Sequence, residues 1–559
     1  MTTAHDATRP ADVPLQAVAL PLLRELTVHG PLTSAGTPLT SWPADLPVVE
    51  GASPGPAWDA LANLDPAHLP AEGYALRAAT TPDGPRAWIA ATSARGLRYG
   101  QQTLRALMMG PPRAVSVRDW PELEIRGTIE GFYGPPWTHQ DRLDHLVFAG
   151  RHRLNSYVYA PKDDPYHRER WRDPYPEAEL AALREIVAAA DASHVDLVYA
   201  LAPGLTMRHT DDAEHGLLAA KAEQLCAAGV RRFALLFDDI PTELRDAADV
   251  AVFGAGPGGA GAAHGRTCAR FAAALGPGPD LIMVPTDYTG RDHSPYREHL
   301  DRELPADVAV WWTGSDVVVG EVTRADIDAA ADSYRRRLLL WDNFPVNDFD
   351  RSRLFLGPLQ GRTTDVAGSA LLGVSANPMI EAAASQLALA TVAEWAWNPS
   401  AYNPAAAAAR ALVAVAGPLS ARIAPLVAAC SSWPPSAPQN PELTRLVDAA
   451  LDGDWGAAAD LGRALRDLAA VPPLGSATRL AEQLGPWADA GAAMARAGLA
   501  GLAVLKLLQT QAVALEAGVA LARSALAEAE DHHAAVLRDV VPRFVRTVLD
   551  RAAACPRIS

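Results

Sequence analysis

Short apolar blocks and helix-length stretches alternate along the middle of the chain. From Glu124 onward, eight blocks rich in Val, Leu, Ile, Phe and Trp read as buried strands: Ile125 to Glu130, Leu154 to Ala160, Val195 to Ala202, Phe233 to Phe237, Leu281 to Val284, Val308 to Trp312, Leu338 to Trp341 and Ala370 to Ser375. The stretch between each pair is long enough for one helix. Such alternation predicts a parallel sheet, because parallel neighbours need a crossover connection. Eight repeats in about 250 residues predict a closed (β/α)8 TIM barrel, in the α/β class, rather than an open sheet.

The flanks carry different patterns. In residues 1–120, Tyr74 to Ala78 and Ala87 to Ala91 predict paired strands around the turn Thr81-Pro-Asp-Gly84. Ser93 to Met109 follows with helical spacing at Leu97, Leu104, Leu107 and Met108. This segment reads as an N-terminal α/β module, and residues 121–400 as the barrel. Residues 401–559 are rich in Ala and Leu at helical spacing and predict a C-terminal helical bundle, divided by the Pro-rich stretch Trp433 to Pro441.

Composition narrows the function. A net charge of −16 argues against nucleic acid or an anionic membrane surface as partner. No apolar run reads as long enough to span a bilayer. The run Val13 to Leu23 follows Asp6 and Asp12 and leads into Arg24-Glu25 without a small-residue cleavage site, so a first strand or helix and a cytoplasmic location are expected. Cys226, Cys268, Cys430 and Cys555 are scattered without metal-ligand spacing and read as reduced thiols. His139, His145 and His152 fall on different helical faces, and His167, His209 and His293 fall in different loops, so neither a metal nor a cofactor is expected. The glycine-rich stretch Gly254 to Gly265 lacks the lysine of a phosphate loop and is expected to be a flexible barrel loop. His532-His533 is expected in solvent. The sequence sets no oligomeric state.

Chemistry concentrates at the strand ends. The fourth block stops on Asp238-Asp239, two carboxylates at one point on the rim where barrel enzymes hold their active sites. Neighbouring carboxylates push their proton affinities apart, so one can carry a proton while the other stays charged. The first block leads into Glu130-Gly-Phe-Tyr-Gly-Pro-Pro-Trp137, in which Gly131 and Gly134 admit close approach and the aromatics can wall a pocket. The second leads to Lys162 within Pro161-Lys-Asp-Asp164, the fifth to Tyr288, the seventh to Trp341-Asp-Asn-Phe-Pro-Val-Asn-Asp348, and the eighth to Asn377. Aromatic faces beside planar polar side chains suit a sugar, which has apolar ring faces and hydroxyl edges.

At these motifs the chain resembles glycoside hydrolase family 84, the β-N-acetylglucosaminidases that include O-GlcNAcases and bacterial enzymes called hyaluronidases. The matching segments are Arg126 to Trp137, Asn155 to Arg168, Phe233 to Ile240, Pro285 to Tyr288, Trp341 to Asp348 and Arg353 to Pro358. Gly96 to Leu104 also looks like the module that precedes such barrels. The resemblance implies retaining hydrolysis of a terminal β-linked N-acetylglucosamine glycoconjugate, in which the substrate's own 2-acetamido oxygen attacks the anomeric carbon to give an oxazoline. It implies that Asp238 steers the acetamido N–H. Asp239 then protonates the leaving oxygen and afterwards activates water. Tyr288 would bond the acetamido oxygen. Gly131, Lys162, Asn343, Asp348 and Asn377 match sugar-binding positions, and Trp341, Asp342 and Asn343 match the pocket wall. His139 and the stretch 254–265 lie outside the pattern and are candidates for tuning access. Cleavage of hyaluronan or chitin fragments remains open within the same class. A non-catalytic sugar-binding barrel is disfavoured by the intact acid pair, and a phosphate-binding barrel by the lack of a phosphate loop.

Overall fold

A computed structural model describes residues 21–278, 280–438, 440–510 and 514–555. The expectation for Val13 to Leu23 therefore falls mostly outside the described residues. The eight expected blocks form barrel strands: Ile125–Ile129, Ser156–Tyr159, Asp196–Leu201, Arg232–Leu236, Asp280–Val284, Ala309–Trp312, Leu338–Asp342 and Leu371–Ala376. Each is parallel to the next, and the eighth pairs with the first, which closes the barrel. Parallel strands are buried on both faces, so their sequence is nearly continuous apolar residue. One face fills the barrel interior with Ile129, Val158, Val198, Ala234, Leu236, Val284, Trp311, Leu339 and Trp341. The other face packs against the surrounding helices.

The N-terminal module is a five-stranded sheet in the spatial order Glu25–Pro31, Arg113–Asp119, Tyr74–Thr81, Gly84–Ala91 and Val48–Gly51. The helix Ala94–Met108 packs on it, started by Ser93, whose side chain accepts from the Gly96 N–H. The module's apolar core takes in Trp397, from the end of the helix Ala382–Trp397 that follows the eighth strand. Asp119 joins the parts. It accepts from Arg153 Nη1 at 2.9 Å, Tyr74 Oη at 2.8 Å and Trp397 Nε1 at 3.0 Å. Beside it, Glu72 accepts from Arg126 at 2.5 Å and Arg95 at 2.7 Å. Both Arg126 and Arg153 are wholly buried under the barrel floor.

Two expectations need correction. The stretch Gly254 to Gly265 is not a flexible loop, because the helix Gly256–Leu275 covers most of it. Its glycines serve close packing against the helix Pro295–Glu303: a Cβ on Gly261 would stand 2.2 Å from the Tyr296 carbonyl oxygen. The statement that no segment is long and apolar enough to cross a membrane also fails. By length and composition Pro404–Ala429 and Arg479–Thr510 both qualify. The first is broken into Pro404–Ala416 and Ser420–Ala429, joined by a single 3-10 turn. The second buries Leu484, Ala493, Met494, Ala497 and Val504 in the C-terminal core, against the helices Trp455–Ala469 and Val541–Ala554. The Pro-rich stretch lies between Ser420–Ala429 and Pro441–Leu451, where Trp433 packs edge-on against Phe344 and Phe355.

Candidate active site

A cavity of about 250 Å³ opens at the C-terminal end of the barrel strands. Gly131, Lys162, Asp238, Asp239, Tyr288, Trp341, Asn343, Asp348 and Asn377 all line it. Asp238 and Asp239 follow the fourth strand by a turn. Asp239 sits at φ 54°, in the left-handed region, which Asp tolerates better than most residues. That turn breaks the alternation of an extended strand, so two successive side chains reach the same cavity.

The two carboxylates have opposite company. Asp238 is nearly buried and accepts from Lys162 Nζ at 3.0 Å. Burial pushes its carboxyl up, but the Lys162 ammonium and its hydrogen bond outweigh burial and hold it below the usual carboxylate range. Burial likewise favours a neutral Lys162, and the Asp238 carboxylate overrides it to hold the amine above its ordinary value. Asp238 is thus a fixed anion. Asp239 is exposed at the mouth and accepts one phenol on each oxygen, from Tyr288 at 2.9 Å and Tyr133 at 2.8 Å. Burial, and next the Asp239 carboxylate, raise the Tyr288 phenol above its usual value, so it stays a donor.

The opposite wall is built around Trp341. Its ring packs where a side chain on Gly131 would be: a Cβ there would stand 2.6 Å from Trp341 Cζ2. The Trp341 indole N–H donates to Asn343 Oδ1 at 3.0 Å, and Asn377 Nδ2 donates to the same oxygen at 2.9 Å. Asn377 Oδ1 accepts from the Gly131 N–H at 3.3 Å. Asp348 accepts from the Tyr133 N–H at 2.7 Å, tying the seventh loop to the first. Trp311 closes the base edge-on to Trp341, with ring centres 6.1 Å apart. Among the described residues no group of three His, Cys, Asp or Glu side chains is placed to hold a metal ion.

The expected residue Asp342 does not line the cavity. Along the strand it alternates with Trp341 and Asn343, so its side chain turns away. It forms a buried two-pronged pair with Arg362 at 2.7 and 2.8 Å. His139 lies elsewhere, against Glu185 at 2.9 Å. Beyond the expected residues, Trp311, Thr313, Val317, Val318, Val346 and Phe349 also line the cavity, and Tyr133 adds a hydrogen bond to Asp239 to the apolar wall expected of it. The doublet Trp311-Trp312 ending the sixth block was a usable signal, whereas Val317 and Val318 sit in a loop whose sequence carries none.

The beta-N-acetylglucosaminidase family matches residues 126–428, more than half of the chain. The chain belongs to the beta-N-acetylglucosaminidase family. Residues 36–120 match a second family, glycosyl hydrolase family 20, domain 2, which covers most of the N-terminal sheet. Protein O-GlcNAcases of Rattus norvegicus and Mus musculus are each 35% identical over 277 residues, 48% of this chain and 29% of theirs. The chain thus spans under a third of the length of these curated relatives. Among solved structures, CpGH84B superposes with a TM-score of 0.81 at 25% identity, covering 94% of this chain and 99% of that one. A Thermobaculum terrenum O-GlcNAc hydrolase mutant superposes at 0.70 and 28% identity, covering 77% and 94%. The family match contains all the cavity-lining residues of this beta-N-acetylglucosaminidase family member, and the CpGH84B likeness extends across module, barrel and C-terminal helices.

Proposed function

We propose that the protein is a retaining, exo-acting β-N-acetylglucosaminidase that works through the substrate's own acetamido group. The observation that carries this reading is the unequal acid pair: Asp238 held ionised against Lys162, and Asp239 exposed at the mouth between two phenols. Asp238, as a fixed anion, accepts the acetamido N–H and draws electron density toward the carbonyl oxygen. That oxygen attacks the anomeric carbon, and the glycosidic C–O bond breaks. Asp239 acts as the general acid and gives a proton to the leaving oxygen. The product of this step is an oxazoline, with the amide proton shared with Asp238. Asp239 then takes a proton from water, which opens the oxazoline with overall retention. Such substrate-assisted hydrolysis stands outside the two-carboxylate nucleophile scheme. Tyr288 turns from Asp239 to the acetamido oxygen when substrate is bound. Gly131, Asn343, Asp348 and Asn377 hold the sugar hydroxyls, with Trp341 as the wall. A cavity closed at its base by Trp311 and open past Tyr133, Val317 and Phe349 suits a terminal sugar whose leaving group points to solvent.

The test is release of 4-nitrophenol from its N-acetyl-β-D-glucosaminide and from analogues with fluorine progressively replacing the acetyl hydrogens. The expected result is hydrolysis that slows with each fluorine, since the internal nucleophile weakens. Hydrolysis indifferent to fluorination, with an Asp238–sugar adduct trapped by a 2-fluoro sugar, overturns the mechanism.

A further inference from the structure

Strand alternation takes Asp342 out of the cavity and places it against Arg362, with both side chains about 1% exposed. Arg362 spends all five N–H donors. Two go to the Asp342 carboxylate. The others go to the carbonyls of Val319 at 3.3 Å, Gly320 at 3.1 Å and Gln360 at 3.0 Å. Val319 and Gly320 end the loop after the sixth strand, the loop that brings Thr313, Val317 and Val318 to the cavity. Backbone bonds from Val322 N to Gly361 O at 2.8 Å and from Thr363 N to Val322 O at 2.9 Å continue the same seam. At its upper end, the Val317 carbonyl accepts from Asn343 Nδ2 at 2.7 Å. That bond fixes which end of the Asn343 amide faces which neighbour, since its Oδ1 is already taken by Trp341 and Asn377.

We infer that Asp342 and Arg362 are positioning residues for sugar binding: the buried pair clamps the loop 313–320 over the cavity and, through the Val317 carbonyl, sets the Asn343 amide toward the substrate. An arginine fork fits this task because its planar donors meet a carboxylate and several carbonyls at once, which a lysine cannot do. The clamp touches no reacting atom. It governs how well the sugar is held, and leaves the chemistry of Asp238 and Asp239 in place. This inference rests on the hydrolase reading above.

Two variants test it. Arg362→Lys keeps the charge opposite Asp342 but loses the fork. Gly361→Ala leaves the pair intact and disturbs the loop directly, because its Cβ would stand 2.0 Å from the Gly320 carbonyl oxygen at a φ of +70°. In both, KM for the nitrophenyl substrate and the dissociation constant of the N-acetylglucosamine thiazoline are expected to rise by roughly 10- to 100-fold, the scale of losing an oriented contact. The dependence of kcat on leaving-group pKa stays as in the wild type, and amide exchange across 313–322 speeds up. Adding Gly361→Ala to Asn343→Ala is expected to cost little more than Asn343→Ala alone, since the first acts through the second. Folded variants with wild-type KM and thiazoline affinity, or full additivity in that cycle, overturn the clamp. If Arg362→Lys does not fold, the Gly361 variant and the cycle decide. Wild-type protein that neither releases nitrophenol nor binds the thiazoline defeats the hydrolase reading, and amide exchange in the variants then judges the clamp on its own.

Discussion

Lys162 makes Asp238 what it is. A carboxylate this deeply enclosed would take up a proton readily, and the ammonium 3.0 Å away prevents it. Because the folded carboxyl lies below the usual range, Asp238 is an anion at neutral pH and is neutralised only as pH falls through that lowered value. Lys162→Met removes the first opposing cause and leaves burial in command. The acid limb of the pH–rate profile is then expected to move to higher pH, with activity at neutral pH reduced. A profile whose acid limb stays in place would show that Lys162 does not set the charge of Asp238. The residue scale was also the most legible in the sequence. Asp238, Asp239, Lys162 and Tyr288 each end a block or sit just past one, and a rim position can be counted from the pattern. Asp342 was misread because its neighbours Trp341 and Asn343 do line the cavity, and only the alternation of the strand separates the three. The second phenol on Asp239, from Tyr133, was hidden because a pairing across 106 residues leaves no mark in either segment.

Strands and loops were legible to different degrees for one physical reason. A barrel strand is buried on both faces, so Phe233 to Phe237 announces itself as unbroken apolar residue. A loop such as 313–320 is fixed by partners brought from far along the chain, among them Arg362 and Asn343, and its own sequence says little. The helix Gly256–Leu275 was misread because glycine signals a turn locally, while here it signals two helices in close approach. Gly131 shows the same logic at a junction between elements. It stands between the first strand end and the ring from the seventh, with no room for a side chain. Gly131→Ala is expected to push Trp341 from its place, destabilise the fold by about 1–3 kcal/mol as overpacked cores do, and weaken substrate binding along with it. Thermal unfolding together with KM reads both effects. A variant with unchanged melting temperature and unchanged KM would mean that Trp341 has room to retreat.

The whole molecule is held from below. Asp119 gathers Arg153, Tyr74 and Trp397, which come from barrel, module and post-barrel helix. Asp119→Ala strands a wholly buried guanidinium, and losing one partner of such a pair costs about 3–5 kcal/mol. The expected readout is a large drop in the urea midpoint with the remaining activity unchanged in its pH profile, because the change lies at the far end of the barrel from the cavity. A midpoint within error of wild type would mean that Arg153 finds another partner. Trp397 adds a dimension of time. It fills the core of a module whose last strand ends at Asp119, yet it is made 278 residues later. At about 5–20 residues per second, the ribosome delivers it roughly 14–56 s after Asp119. Through that interval the N-terminal sheet is a mould without its plug. Synthesis runs from module to barrel, so the module's core is expected to be completed only after the helix that ends in Trp397 has been made. The open slot is meanwhile the kind of apolar seam that holding chaperones engage on a nascent chain.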